Sequence, residues 1–111
     1  MINLDAMLTA LRNETQIPFA LYGWQTNPAE DAWGILTLDG QEAAIWSDDR
    51  MEAQALRGHV SVFCRTLGGI PDAVQTVLDG LGVSWTFETT DYEPDPRLLH
   101  YTWAWREWGD L

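Results

Sequence analysis

Leu4, Met7, Leu8 and Leu11 fall at i, i+3, i+4 and i+7, one apolar stripe that predicts a helix over residues 3–13. Asn3 suits its N-cap, Asp5 the positive end of the helix dipole and Arg12 the negative end. Asn13 is placed to take the left-handed conformation that closes such a helix. Pro18 forbids continuation, and the apolar, aromatic run Phe19 to Trp24 is expected as a strand. Gln25 to Glu30, with Asn27-Pro28, is expected as loop.

Trp33 to Leu38 and Glu42 to Trp46 flank Asp39-Gly40, a dipeptide that predicts a tight hairpin, with Asp48 and Asp49 ending it. Over residues 54–65 the alternation is regular. Leu56, Gly58, Val60, Val62 and Cys64 point one way; Arg57, His59, Ser61, Phe63 and Arg65 point the other. Gly68-Gly69 releases the chain, Pro71 sits at a first helical position, and Ile70, Val74, Val77, Leu78 and Leu81 form a second helical stripe. Gly80 or Gly82 stops it. Val83, Trp85 and Phe87 alternate with polar residues, as do Leu99, Tyr101, Trp103 and Trp105. Between them Asp91 to Pro96, with prolines at 94 and 96, is expected to be an acidic loop.

The order is therefore helix, three or four strands, helix, two strands. Two one-striped helices need a common apolar surface, and the strands offer one. The expected architecture is α+β: two helices packed on one face of a mostly antiparallel sheet, in the order α-β-β-β-β-α-β-β. The apolar face carries Val60, Val62, Trp85, Phe87, Tyr101, Trp103 and Trp105. The outer face carries Arg57, His59, Ser61, Arg65, Ser84, Thr86, His100, Thr102 and Arg106.

Length and composition narrow the class. A chain of 111 residues is too short for two cores, so one domain over 1–111 is expected. Seven Trp, 46% hydrophobic residues and 21% charged residues describe a folding chain that spends heavily on aromatic area. Seventeen acids against six Arg, with no Lys, repel phosphate backbones and argue against nucleic acid. Asp5 interrupts the only apolar N-terminal stretch and no basic residue precedes it, so no secretory signal is read. No run approaches the ~18 apolar residues of a membrane span. The expected location is intracellular.

Little in the chain suggests catalysis. Cys64 is alone and in phase with Val60 and Val62, so it reads as a buried small hydrophobe. His59 and His100 could meet if their strands are neighbours, but two His lack the third ligand of a catalytic zinc site. Glu30-Asp31, Asp48-Asp49, Asp91, Glu93 and Asp95 lie in expected loops, where solvated charge is the ordinary state. No glycine pattern matches a nucleotide cradle. The expectation is a chain that is not an enzyme and has no catalytic, cofactor or metal residues.

Charge distribution points to partners instead. Arg57 and Arg65 lie in an acid-free stretch, 54–66, between two net-acidic segments, and Arg106 shares their face. Such a patch on an acidic body is self-complementary head to tail, a contact that closes into rings when the rotation permits. The competing arrangement pairs these Arg with Glu88 and Glu107 of the same chain. Trp108 has the opposite parity to Trp103 and Trp105 and lies past the expected strand end, an exposed anchor for a partner. The candidate interface residues are Arg57, His59, Arg65, Arg106, Trp108, Asp48 and Asp49. A different class, an acidic adaptor or inhibitor of a basic protein, fits the same charge.

Over residues 3–106 the chain resembles small phage and prophage tail-completion proteins: tail terminators and minor tail or head–tail joining proteins. The likeness is carried by an amphipathic helix leading into Thr15-Gln16-Ile17-Pro18-Phe19-Ala20-Leu21-Tyr22, then by Trp46-Ser47-Asp48-Asp49 after a hairpin. It continues with the long strand at 54–65, a helix, the entry Gly82-Val83-Ser84-Trp85, an acidic loop and an aromatic last strand. Gln16 stands where such proteins usually have Gly, and Leu21 is an extra residue. The resemblance implies an α+β subunit of a homohexameric ring that caps the tail tube and receives the head connector, in the host cytoplasm and then the virion. It implies no catalytic or cofactor residue.

Overall fold

Strands of unusual length give the molecule its shape. In the computed structural model, residues 3–21, 31–47, 50–65, 68–93 and 98–110 are described, with side chains at 3–21, 31–40, 55–65, 68–91 and 99–107. The order is α1 (Leu4–Thr15), β1 (Phe19–Leu21), β2 (Ala32–Ser47), β3 (Arg50–Cys64), α2 (Ile70–Gly80), β4 (Ser84–Glu93) and β5 (Leu98–Asp110). The strands form one sheet, β1-β2-β3-β5-β4, antiparallel except for the short parallel β1–β2 pair. At about 3.3 Å per residue, β2 alone spans nearly the long axis of the 53 × 23 × 20 Å molecule.

The α+β class and the placement of both helices on one side of the sheet are as the periodicity dictates. Met7, Leu8 and Leu11 of α1 and Val74, Val77 and Leu78 of α2 pack over Leu36, Val60, Val62, Cys64, Tyr101, Trp103 and Trp105. Phe87 lies on that face in register with Trp103, yet it is 41% exposed because it stands at the β4 edge. Cys64 is fully buried, and burial pushes its thiol pKa up. Burial raises the Tyr101 pKa as well, with Cys64 adding to the shift.

Element ends depart from the sequence reading for local reasons. Asn3 caps α1 by accepting from the Ala6 N–H at 3.1 Å, but the helix continues to Thr15. Gln16, not Asn13, takes the left-handed conformation (φ 59°), and its N–H donates to the Arg12 carbonyl. Arg12 lies in the last turn of α1, as its charge suits, and its guanidinium Nε and Nη2 also donate to the Phe19 carbonyl at 3.0 and 2.8 Å, fastening α1 to β1.

Asp39-Gly40 does not turn the chain. Both flanking segments pair with β3 as one continuous β2, and the register shifts between Leu38 and Gly40. The positive φ of Gly40 (143°) goes into a bulge, and the strand reverses between Ser47 and Arg50 instead. Asp91 to Glu93, expected as loop, extends β4 opposite Leu98 to His100; the two prolines fall outside the described residues. The last strand likewise runs past Trp108, whose backbone pairs with Ala55.

Two close approaches fix the packing. The Phe19 ring covers Gly34, where an added Cβ would sit 2.2 Å from it. At Gly58 a Cβ would meet the Thr37 carbonyl oxygen at 2.0 Å and the Trp105 ring at 2.4 Å. Trp33, Trp103 and Trp105 are buried with indole N–H groups that have no hydrogen-bond partner among the described residues. Each such N–H costs about 1–3 kcal/mol, whereas burying ~200 Å² of indole contributes about 5 kcal/mol, so apolar area wins.

Candidate functional site

On the sheet face turned away from both helices, four rows of residues paired across neighbouring strands have their side chains described. Trp33, Phe63, His100 and Asp91 form the first. Here Trp33 stacks on Phe63 (centroids 5.2 Å apart) and Phe63 on His100 (4.1 Å). Trp33 is buried at 1% exposure, Phe63 and His100 are partly buried, and Asp91 is exposed. Ile35, Ser61, Thr102 and Thr89 make the second row; Thr37, His59, Ala104 and Thr86 the third; Gly40, Arg57, Arg106 and Ser84 the fourth. Along the face the chemistry therefore passes from stacked rings through hydroxyls to guanidinium groups.

His59 is engaged at both ring nitrogens. Its Nδ1 meets Asp39 Oδ2, and its Nε2 lies 2.7 Å from Glu88 Oε1. The ring reaches β4 by passing over Ala104, whose methyl group leaves the room. Both carboxylates come from bulges: Asp39 is the extra residue between Leu38 and Gly40, and Glu88 the extra residue between Phe87 and Thr89. Bulges re-aim side chains, which is how two acids reach one imidazole from opposite sides. Asp39 is held in turn by the Thr37 hydroxyl, which donates to Oδ1 at 2.8 Å. With both ring nitrogens engaged, His59 acts as a clamp across four strands.

Beside this clamp a groove of about 400 Å³ is lined by Arg57, His59, Ser84, Thr86, Ala104 and Arg106, with the intervening backbone of Gly58, Trp85 and Trp105. Its floor is Ala104. Arg57 and Arg106 are direct cross-strand partners, and Arg106 has a further partner of its own.

Of the residues singled out by sequence, Arg57, His59 and Arg106 come together at this groove. Arg65 lies beyond the aromatic row, its N–H donating to the Asp31 carbonyl at 2.9 Å. Arg65 and Arg106 each have a partner, and Glu88 is taken by His59 rather than by an Arg. Trp108 belongs to β5 rather than following it, and its side chain lies outside the described residues, as do Asp48 and Asp49. His59 and His100 do not meet, because the register places Ala104 opposite His59 and Phe63 opposite His100. Among the described residues, no group of three or more His, Cys, Asp or Glu is arranged to hold a metal ion, and no helix is long and apolar enough to cross a membrane. Sequence reasoning missed Asp39 and Glu88 as the acids of the clamp, because bulges carry no hydropathy signal.

No family model and no curated protein matches this chain. A solved structure superposes on it with a TM-score of 0.51 at 13% identity, covering 100% of this chain and 97% of the other. At that identity the likeness speaks for the fold alone: the α+β arrangement is shared from end to end.

Proposed function

We propose that this chain is a structural virion subunit of the phage or prophage tail-completion type, a ring-forming protein that caps the tail tube and receives the head connector. The observation that carries the reading is the sheet face left without helices, where Arg57 has no hydrogen bond or ion pair among the described residues, on a chain of net charge −11. Charge on the face is uneven: Arg57 and Arg106 share one row and Asp91 stands three rows away, so an acidic neighbouring copy can meet the Arg-bearing part. The sequence likeness to tail terminators supplies the biological setting, and a head–tail joining role uses the same surface. Neither role calls for catalysis, a cofactor or nucleic acid.

Native mass and negative-stain images of the purified protein, alone and with its tail tube, test the proposal. A closed ring, six copies by the likeness, is expected. A chain that stays monomeric in both settings contradicts it. The acidic-adaptor reading is favoured by the charge balance alone; it predicts a stoichiometric complex with a basic protein, weakened steeply by salt, and no ring.

A further inference from the structure

We propose that the groove over Ala104 is an oxyanion-binding site, with the Arg57 guanidinium as charged anchor and the Ser84 and Thr86 hydroxyls as neutral donors. Four observations converge on it. Arg57, Ser84 and Thr86 line one concave space of about 400 Å³, within the size range of small-ligand clefts. None of the three side chains makes a hydrogen bond or ion pair within the described structure, so three sets of donors face the space uncommitted. Arg57 and Arg106 are direct cross-strand partners at the groove, and no Asp or Glu is among its lining residues. Finally, Asp39 and Glu88, which flank His59, are turned onto its ring, and neither forms an ion pair with Arg57.

The chemistry selects the ligand class. A guanidinium presents a planar fork that matches two oxygens of a carboxylate or phosphate. The hydroxyls of Ser84 and Thr86, two positions apart on β4 and on the same face, can donate to the remaining oxygen lone pairs. Arg106 keeps its own partner and contributes field rather than a free fork. Two sources can supply the oxygens: a free oxyanion, or an Asp or Glu side chain from a neighbouring copy. The inference does not depend on the tail-completion reading.

The test is a titration of the full chain with inorganic phosphate, followed by backbone amide shifts and by sedimentation. Saturable shifts centred on residues 57, 84 and 86 are expected. Arg57→Gln should weaken binding about tenfold or more, and Ser84→Ala by a smaller factor. Arg57→Lys should restore part of the affinity, and circular dichroism confirms that each variant is folded. A protein that is monomeric and shows these shifts uses a free oxyanion. If a neighbour's carboxylate fills the groove, the wild type sediments as an assembly that phosphate disperses, chloride at equal ionic strength leaves intact, and Arg57→Gln abolishes. Shifts that do not saturate or ignore Arg57→Gln, together with sedimentation indifferent to phosphate and to the substitution, overturn the site. A ring that persists in that case leaves the tail-completion proposal standing.

Discussion

His59 on β3 and Glu88 on β4 are joined at 2.7 Å across an intervening strand, with Ala104 of β5 beneath the contact. The bridge spans two strand spacings, which a direct cross-strand pair cannot do. It needs a long-reaching ring, a small residue in the middle and an acid displaced by a bulge.

Removing the clamp is expected to cost little but measurably. His59 and Glu88 are 38% and 43% exposed, so each contact is worth about 0.2–1 kcal/mol. His59→Ala should lose about 1 kcal/mol, which for a domain near this size lowers Tm by roughly 4–8 °C. A double-mutant cycle of His59→Ala with Glu88→Ala, read by urea denaturation, should return a coupling of about 0.5 kcal/mol. Ala104→Leu should abolish the same coupling by filling the passage. Additive single effects would show that the bridge contributes nothing.

The two crowded glycines rank in a definite order. At Gly34 the obstacle is a phenyl ring, which can shift at a cost of about 1–3 kcal/mol. At Gly58 the obstacle includes the Thr37 backbone oxygen, which cannot move without distorting the β2–β3 ladder. Gly58→Ala should therefore destabilise more than Gly34→Ala and leave little folded protein. Thermal melts of the two variants give the ranking, and the reverse order would mean that the Trp105 packing is misjudged.

The buried thiol gives a pH dependence of known sign. The fold raises the Cys64 pKa above its ordinary 9.0, and that of Tyr101 above its ordinary 10.0. A group whose folded pKa is raised leaves stability intact below the unfolded value, and stability is lost as pH rises toward the folded one. Stability should thus hold up to about pH 9 and fall above it. Denaturation midpoints from pH 7 to 11 measure the fall, and Cys64→Ala should make it shallower. In the native protein the thiol should resist alkylation until the chain unfolds.

Much of this fold was legible in the sequence because it follows from periodicity. The stripes at Leu4–Leu11 and Val74–Leu78 and the alternation at 56–64 and 99–105 set the layers and the two sheet faces, whereas Leu81, expected in the second stripe, follows α2 and is exposed. What failed depended on long-range pairing. Asp39-Gly40 reads locally as a turn, yet β3 is long enough to pair with both sides of it, so the dipeptide becomes a bulge. For the same reason Arg57, His59 and Arg106 could be assigned to one face, while the acids that hold His59 could not. Their aim depends on two one-residue insertions, and register decides which residues those are.

The proposed place in tail completion is tested most directly by electron micrographs of particles assembled without this gene. The proposal predicts tails of uncontrolled length if the subunit terminates the tube, or separate heads and tails if it joins them. Complete particles with tails of normal length would contradict it.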